Sequence, residues 1–431
     1  MNSKKISILG SGIAGLSAGF HLAKMGVSSV IYERGDDWGG LCANFSVDGY
    51  RFDKFVHLSF AKEDYIRNIF SESCEFQEHP ALSTNYYKGL WLKHPAQDNL
   101  FPLPTDEKTK IIADFVNRPQ KEISEIKDYG EWLECQYGEY FAHNFPFAYT
   151  RKYWGKEASE LETKWVGSRM HSPSLEEVLK GAFENNDKNF YYASVMRYPK
   201  NGGFRSFLNS TRKNLDIRFN KEAVKIDAKN KTVSFNDGTK TTYDNLISSL
   251  PLPEILKMIE DAPQNVVEAA KNLKYTSGYM VSLGFRRPDV AKDLWFYIYD
   301  EDILSARVYS PSLKSKDNVP DGCSSLQAEV FFANDTQPPN ADNVLKNTIE
   351  KLSEMGLFKK EEIAVQDIRF EKYANIIFDH EVYKNRQIVL DYLASIEIKS
   401  IGRFGKWEYF WTNQAFADGQ KTAEEVALDI G

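Results

Sequence analysis

The chain has 431 residues, 42% of them apolar and 14% aromatic, with a formal net charge of −7. That length exceeds one typical core, so two or three lobes are expected, and a negative balance without a basic run argues against nucleic-acid binding. Cys42, Cys74, Cys135 and Cys323 share no metal or redox spacing, which points to reduced thiols, no metal site and a cytoplasmic setting; no stretch approaches the ~18 apolar residues of a membrane span, so a soluble chain is expected.

Ile6-Ser7-Ile8-Leu9 reads as a buried strand that stops at a glycine. Gly10, Gly12 and Gly15 form G-x-G-x-x-G and open a helix over residues 16–25, whose N-terminus can receive a pyrophosphate. Gly10 allows the tight turn, Gly12 lets backbone approach phosphate, and Gly15 lets helix and strand pack closely. Ile13 and Ala14 belong to the same cofactor contact. A second apolar run, residues 30–32, ends in Glu33, placed to accept ribose hydroxyls. Arg34 and then Gly39-Gly40-Leu41 follow. An acid succeeded within a few residues by Gly-Gly is the pattern of flavoproteins of the glutathione-reductase and amine-oxidase type, and the dinucleotide is read as FAD.

Further along, residues 45–53 form a strand pair around Asp48-Gly49. His57 follows in an apolar segment, where it is either a satisfied core histidine or a group facing the cofactor. Residues 64–185 read as mainly helical, interrupted at 91–95, with one packed helix over 123–141 and a capping box at Ser174. The aromatic and cationic segment 145–155, holding Tyr149 and Trp154, is either a core edge or a wall for a planar anion. Asn201-Gly202-Gly203 precedes a helix over 204–215. Strands at 223–227 (with Val224 counted among cofactor contacts), 232–235 and 239–243 form a meander, and 246–249 is the usual last parallel strand under an FAD domain. Alternating runs at 278–287, 294–299 and 325–332 suggest a second, antiparallel lobe, with Arg307 in a further short strand and helices at about 343–355 and 380–394. The chain closes on Gly402-Arg403-Phe404-Gly405-Lys406-Trp407-Glu408-Tyr409 and Asn413-Gln414, then a helix; glycines, an arginine, aromatics and an amide pair before a helix suit a flavin edge.

Together the fingerprint, Phe52-Asp53 with His57, Tyr149 with Trp154-Gly155, Pro199 with Gly202-Gly203, residues 294–297 and the 402–414 segment carry a family likeness. The chain resembles the UDP-galactopyranose mutases, within the wider amine-oxidase and protoporphyrinogen-oxidase-like flavoproteins. The resemblance implies a non-redox use of FAD, in which the reduced flavin attacks the anomeric carbon of a nucleotide sugar and the ring recloses at the other size. It implies that His57 lies against the flavin, that Arg403, Asn413 and Gln414 hold the cofactor, and that Tyr297, Tyr409 and Arg307 take the diphosphate, Arg307 bidentately. Tyr149, Trp154 and Asn201 complete the substrate set. Two departures stand out. Phe55-Val56 replaces a Gly-Gly before the histidine, so the flavin-facing loop should lack the family's backbone freedom. Asn201 replaces an arginine, removing a charge-assisted contact of roughly 1.5–3 kcal/mol, with Lys200 or Arg205 as candidate substitutes.

The expected fold is α/β: a Rossmann-type FAD domain (1–62, 196–265 and 399–431), an inserted helical lobe (63–195) and an antiparallel sheet lobe on the substrate side (266–398). Three functions remain open: a mutase-like isomerase, with NAD(P)H or another reductant; an FAD-dependent oxidoreductase; and a non-catalytic flavin-binding partner. Oligomeric state, a homo-oligomer included, is left open.

Overall fold

A computed structural model describes residues 4–167, 169–185, 195–290 and 292–430. Ile6–Leu9 is the middle of a five-stranded parallel sheet, ordered Ile398–Ser400, Asn245–Ser248, Ile6–Leu9, Ser29–Tyr32 and Asp216–Arg218. All four residues of Ile6–Leu9 are buried, as a strand covered on both faces requires. The helix Ile13–Lys24 leaves the Gly10 turn and packs along Thr412–Ile430, where Ser17 Oγ donates to the Phe416 carbonyl at 2.6 Å. The meander Ala223–Asp227, Thr232–Phe235 and Lys240–Thr242 also packs on this domain, with Phe235 stacked 4.6 Å from Tyr32.

A seven-stranded sheet forms the second layer, ordered Ile363–Ile376, Tyr275–Phe285, Ser324–Ala333, Arg307–Tyr309, Trp295–Ile298, Thr84–Tyr87 and Leu90–Lys93. Its pairings are antiparallel except that Trp295–Ile298 runs parallel to Thr84–Tyr87. Ser324–Ala333 is buried throughout, and the helix Ala341–Glu354 contributes Val344 and Leu352 to the core beside it. The third part is helical: Thr105–Asn117, Tyr129–Tyr137, Glu139–Ala142, Ala148–Trp154 and Leu175–Phe183. Before Ala148 the chain makes a widened π-type turn, His143–Phe147, around Pro146, which has no N–H for the regular ladder.

Several expectations are corrected. Residues 76–93 are not helical: Phe76–Pro80 pairs with Val195–Pro199, and the next two strands close into a hairpin on Lys88 and Gly89, both at positive φ. The expected 123–141 helix begins only at Tyr129, after a 3₁₀ turn at Ile123–Glu125, and is broken again by Gly138, at φ 81°. In place of a helix over 204–215 there is a 3₁₀ turn, Phe204–Leu208, and one α-turn, Asn209–Arg212. Asn245–Ser248 is not the outermost parallel strand; Ile398–Ser400 flanks it. The long strand Ile363–Ile376 had no expectation at all, because its polar and apolar residues alternate irregularly. The stretch 186–194 of the expected helical lobe lies outside the described residues.

Close packing of helix on strand rests on Gly15. A Cβ there would meet the Gly10 carbonyl oxygen at 2.0 Å, and both partners are backbone. Gly15→Ala is therefore expected to destabilise the apoprotein by about 1–3 kcal/mol or more, read as a lowered urea midpoint. An unchanged midpoint would contradict this account of the motif's third glycine.

Candidate functional site

A cavity of about 1270 Å³ runs from the glycine turn, past the end of the parallel sheet, to the wall of the helical lobe. That is larger than a pocket for one small molecule and suits a dinucleotide with a second ligand.

At one end lie Gly10, Gly12, Ile13, Ala14, Glu33, Arg34, Gly39, Gly40 and Leu41. Gly12 caps the first helix and offers no side-chain acceptor, so the first-turn N–H groups have no cap. A Cβ on Gly12 would meet nothing nearer than Gly40 Cα at 4.0 Å. The protein does not itself require glycine there; a molecule lying against the turn does. Glu33 is fixed by its own turn: Oε2 accepts from Ser11 N–H and Oγ, both at 2.8 Å, and Oε1 from Gly35 N–H at 3.0 Å. Uncapped N–H groups, an open glycine and an anchored carboxylate fit the pyrophosphate and ribose of FAD. Gly15 stays behind, in the helix–strand contact. Val224 sits at a bulge with its side chain half exposed, and Ala223 borders the cavity instead.

Where the chain reaches the middle of the cavity, Phe55 stands at φ 62°. The conformation expected of glycine is thus kept by a phenylalanine, at a cost of about 1–3 kcal/mol. Three contacts hold it. Phe55 N–H donates to Met280 Sδ at 3.1 Å, its ring packs 5.5 Å from Phe331, and Val56 N–H donates to Glu329 Oε1 at 2.7 Å. His57, next in line, borders the cavity with its ring 4.9 Å from Phe204. Burial, joined by Lys314 and Arg403 and opposed by Asp53 and the Phe55 carbonyl, pushes its pKa down to about 4. At neutral pH it is uncharged.

The far arm holds the expected substrate residues. Arg307 and Tyr297 face each other across paired strands. Arg307 Nε lies 2.7 Å and Nη2 2.6 Å from Oε2 of Glu329, a fully buried carboxylate. Burial alone would lower the Arg307 pKa, but Glu329 and the phenols of Tyr149, Tyr153 and Tyr297 outweigh it and raise it. Tyr149 and Trp154 line the arm from the helix after the π-type turn, although Trp154 is largely consumed in packing on Tyr153, Trp165 and Tyr409. Tyr409 lies beneath two guanidiniums, Arg403 and Arg169, each 4.8 Å from its ring. Burial above all holds the Tyr149 and Tyr153 hydroxyls protonated.

Besides Gly15 and Val224, three more expected contacts are not brought together. Asn201 and Lys200 are exposed and away from the cavity, Lys200 pairing with Glu75 at 3.0 Å, while Arg205 is half-buried and spent on Asp37 and the Trp38 ring at the cavity's dinucleotide end. Asn413 turns its amide to Glu63, and Gln414 accepts from Trp411 N–H at 2.9 Å, while Thr412 and Ala415 border the cavity. Sequence reasoning missed Arg169, Glu329, Asn375 and His94. Only His94 carried a signal, as part of the Lys93-His94-Pro95 break; the other three lie in stretches with no motif of their own. His94 Nδ1 is 3.1 Å from Asn85 Oδ1 and its ring 4.8 Å from Tyr297, and burial pushes its pKa down to about 3. Among the described residues no group of His, Cys, Asp and Glu could hold a metal ion, and no helix is long and apolar enough to cross a membrane.

A parallel sheet opening through a glycine turn into a cavity shared with a mostly antiparallel sheet is the arrangement of an FAD-holding fold. Residues 13–367 match the flavin containing amine oxidoreductase family, and the chain belongs to it. Among solved structures, a reduced UDP-galactopyranose mutase superposes with a TM-score of 0.93 at 25% identity, covering 99% of this chain and 96% of that one. A putative protoporphyrinogen oxidase from Exiguobacterium sp. aligns over 100% of both chains at TM-score 0.76 and 15% identity, and a putrescine oxidase bound to putrescine over 99% of both at 0.65 and 15%.

Two outcomes are expected. Gly12→Val should purify without yellow cofactor while its apoprotein still unfolds cooperatively in urea, because a Cβ there meets nothing of the protein nearer than Gly40 Cα at 4.0 Å; retained FAD would overturn the assignment of the turn. Unfolding lets His94 take a proton below its ordinary value near 6.5, whereas the folded site refuses it until about 3. Its contribution to stability is full above pH 6.5 and is lost as pH falls toward 3. The stability gap between wild type and His94→Gln should therefore narrow by about 2 kcal/mol between pH 7 and pH 4.5. Urea titrations of both proteins at the two pH values measure it, and a constant gap would refute it.

Proposed function

We propose that this chain is an FAD-dependent enzyme acting on a nucleotide-linked sugar, interconverting its pyranose and furanose forms. One observation carries the reading. The lining residues drawn from the helical lobe and from the 295–307 strands include Arg169, Arg307 and a group of tyrosines, but no carboxylate among the described residues. The carboxylates that do border the cavity come from the fingerprint end, from the 222–254 stretch and from Glu371. An arm of cations and phenolic donors favours a ligand rich in anionic oxygen, such as a nucleoside diphosphate linked to sugar.

Bound in its reduced form, FAD supplies a nucleophile for the anomeric carbon. The chain's own residues bind and orient. Arg307, anchored through Nε and Nη2 on Glu329, keeps Nη1 for a phosphate oxygen. With Arg169, Tyr297 and Tyr409 it stabilises negative charge that grows on the diphosphate as the anomeric C–O bond breaks. The Tyr149 phenol acts as a hydrogen-bond donor at neutral pH, while the Tyr153 proton is held by Asn375. His57, uncharged, serves as a neutral partner to cofactor or sugar hydroxyl without adding a charge to the middle of the cavity. The likeness to a reduced UDP-galactopyranose mutase supports the same reading. The family's oxidoreductases include enzymes for amines, but an amine cation entering this arm would meet two arginines, which disfavours that use.

The test is chromatographic separation of UDP-galactopyranose and UDP-galactofuranose after incubation with dithionite-reduced protein. Interconversion that stops on flavin oxidation supports the proposal. Oxygen consumption with an amine would favour the oxidoreductase reading, and bound FAD with neither activity would favour a non-catalytic partner. On binding, Arg307→Ala combined with Glu329→Gln, which avoids stranding a buried carboxylate, is expected to weaken UDP at least tenfold by titration calorimetry, about 1.4 kcal/mol. Unchanged affinity would remove Arg307 from the site.

A further inference from the structure

The side-chain amide of Asn375 is locked in one orientation. Its Oδ1 accepts from Arg403 Nη2 at 2.8 Å and from the Tyr153 hydroxyl at 3.1 Å. A guanidinium can only donate, so turning the amide over would set N–H against N–H; the network itself assigns oxygen and nitrogen. The NH2 group must then point the other way. No described residue accepts from it, and it is not among the enclosed polar atoms without a partner. Asn375 is only 5% exposed, and the space it borders is the cavity.

Its surroundings share one character. Arg403 Nε is enclosed without an acceptor, and the Tyr153 and Tyr409 hydroxyls lie 3.5 Å apart beside it. Asn375 itself is held at the end of Ile363–Ile376, where its backbone N–H donates to Thr276 Oγ1 at 3.1 Å. The Tyr153 proton is committed to Asn375, so the two N–H groups of the amide are what this corner presents to the cavity, and they call for an acceptor atom on the ligand without adding charge.

We propose that Asn375 is a specificity-determining residue that donates through Nδ2 to the diphosphate oxygens of the ligand, an inference that rests on the nucleotide-sugar reading above. Within the site it is a pre-set donor whose acceptor half is already satisfied by Arg403 and Tyr153. A tetrahedral oxyanion is the ligand chemistry that uses such a corner best, because several of its oxygens can be reached at once.

Asn375→Asp tests this directly. The carboxylate still accepts from Arg403 and Tyr153, while the donor half becomes an anionic oxygen. On reduced, FAD-loaded protein, calorimetry with UDP and with inorganic pyrophosphate is expected to show both weakened at least tenfold, uridine within twofold of wild type, and FAD content unchanged. Asn375→Ala, which adds no charge, should fall between the two. Equal pyrophosphate affinity in wild type and N375D overturns the assignment. So does a shifted flavin spectrum with unchanged UDP affinity, which would give the amide to a flavin carbonyl instead. Wild type that binds pyrophosphate but not UDP overturns the nucleotide-sugar reading alone, with Asn375 still decided by pyrophosphate; wild type that binds neither overturns both.

Discussion

The dinucleotide domain and the large sheet meet on one buried carboxylate, Asp53. Its Oδ2 accepts from the Tyr198 hydroxyl and from Lys314 Nζ, both at 2.7 Å, and its Oδ1 from Phe204 N–H at 3.1 Å, while its carbonyl takes the Tyr309 hydroxyl at 3.2 Å. Those partners come from the strand Val195–Pro199, the turn after Gly203, the large sheet and the short helix behind it. Lys314 is fully buried, and burial lowers its pKa although Asp53 opposes the shift. Such a pair adds little net stability, but removing one partner leaves a charge stranded in the interior, typically at about 3–5 kcal/mol. The lobes are thereby committed to one arrangement, and the loop carrying His57 begins two residues after the carboxylate that commits them.

A second buried carboxylate turns that arrangement into a site. Glu329 holds Val56 N–H with one oxygen and Arg307 with the other, so the strained turn at Phe55 and the cation of the far arm are referred to a single strand. Strain at Phe55 persists because the surrounding contacts over-determine it. The strand itself is buried on both faces, which keeps Glu329 from bulk solvent.

How much of this was legible depended on whether a signal was local. The fingerprint is local: a strand, three glycines and an acid have geometric meaning within thirty residues, and the structure places them as read. The hairpin at Asp48-Gly49 and the capping box at Ser174 are local in the same way. Over 76–93 only the hairpin turn at Lys88-Gly89 is local; Phe76–Pro80 is paired by Val195–Pro199 and Thr84–Tyr87 by Trp295–Ile298, some two hundred positions away. Glu329 and Asn375 were illegible for a related reason: a carboxylate or amide within a strand looks like a solvent-facing residue until the neighbouring strands are known. Asn201 failed in the opposite direction. Its position in a recognisable motif suggested a contact, yet the Gly202 carbonyl and amide are engaged by Asn44 and Asp317, and the Asn201 side chain is left at the surface.

Charge is partitioned along the cavity in a way that the fold does not dictate. The dinucleotide end carries carboxylates suited to sugar hydroxyls, and the far arm carries guanidiniums and protonated phenols. Related folds serve amines as well as nucleotide sugars, so the parallel sheet and glycine turn say only that a flavin is held. The choice of second ligand lies in side chains that the two sheets and the helical lobe bring to the far arm, and each of the decisive cations is braced by a group that asks nothing more of it: Arg307 by Glu329, Arg403 by Asn375, Arg169 by the Tyr409 carbonyl. Because those braces are in place before any ligand arrives, an acceptor group entering the arm would meet long side chains already ordered, so that the entropy cost that usually weakens arginine contacts would be met by folding.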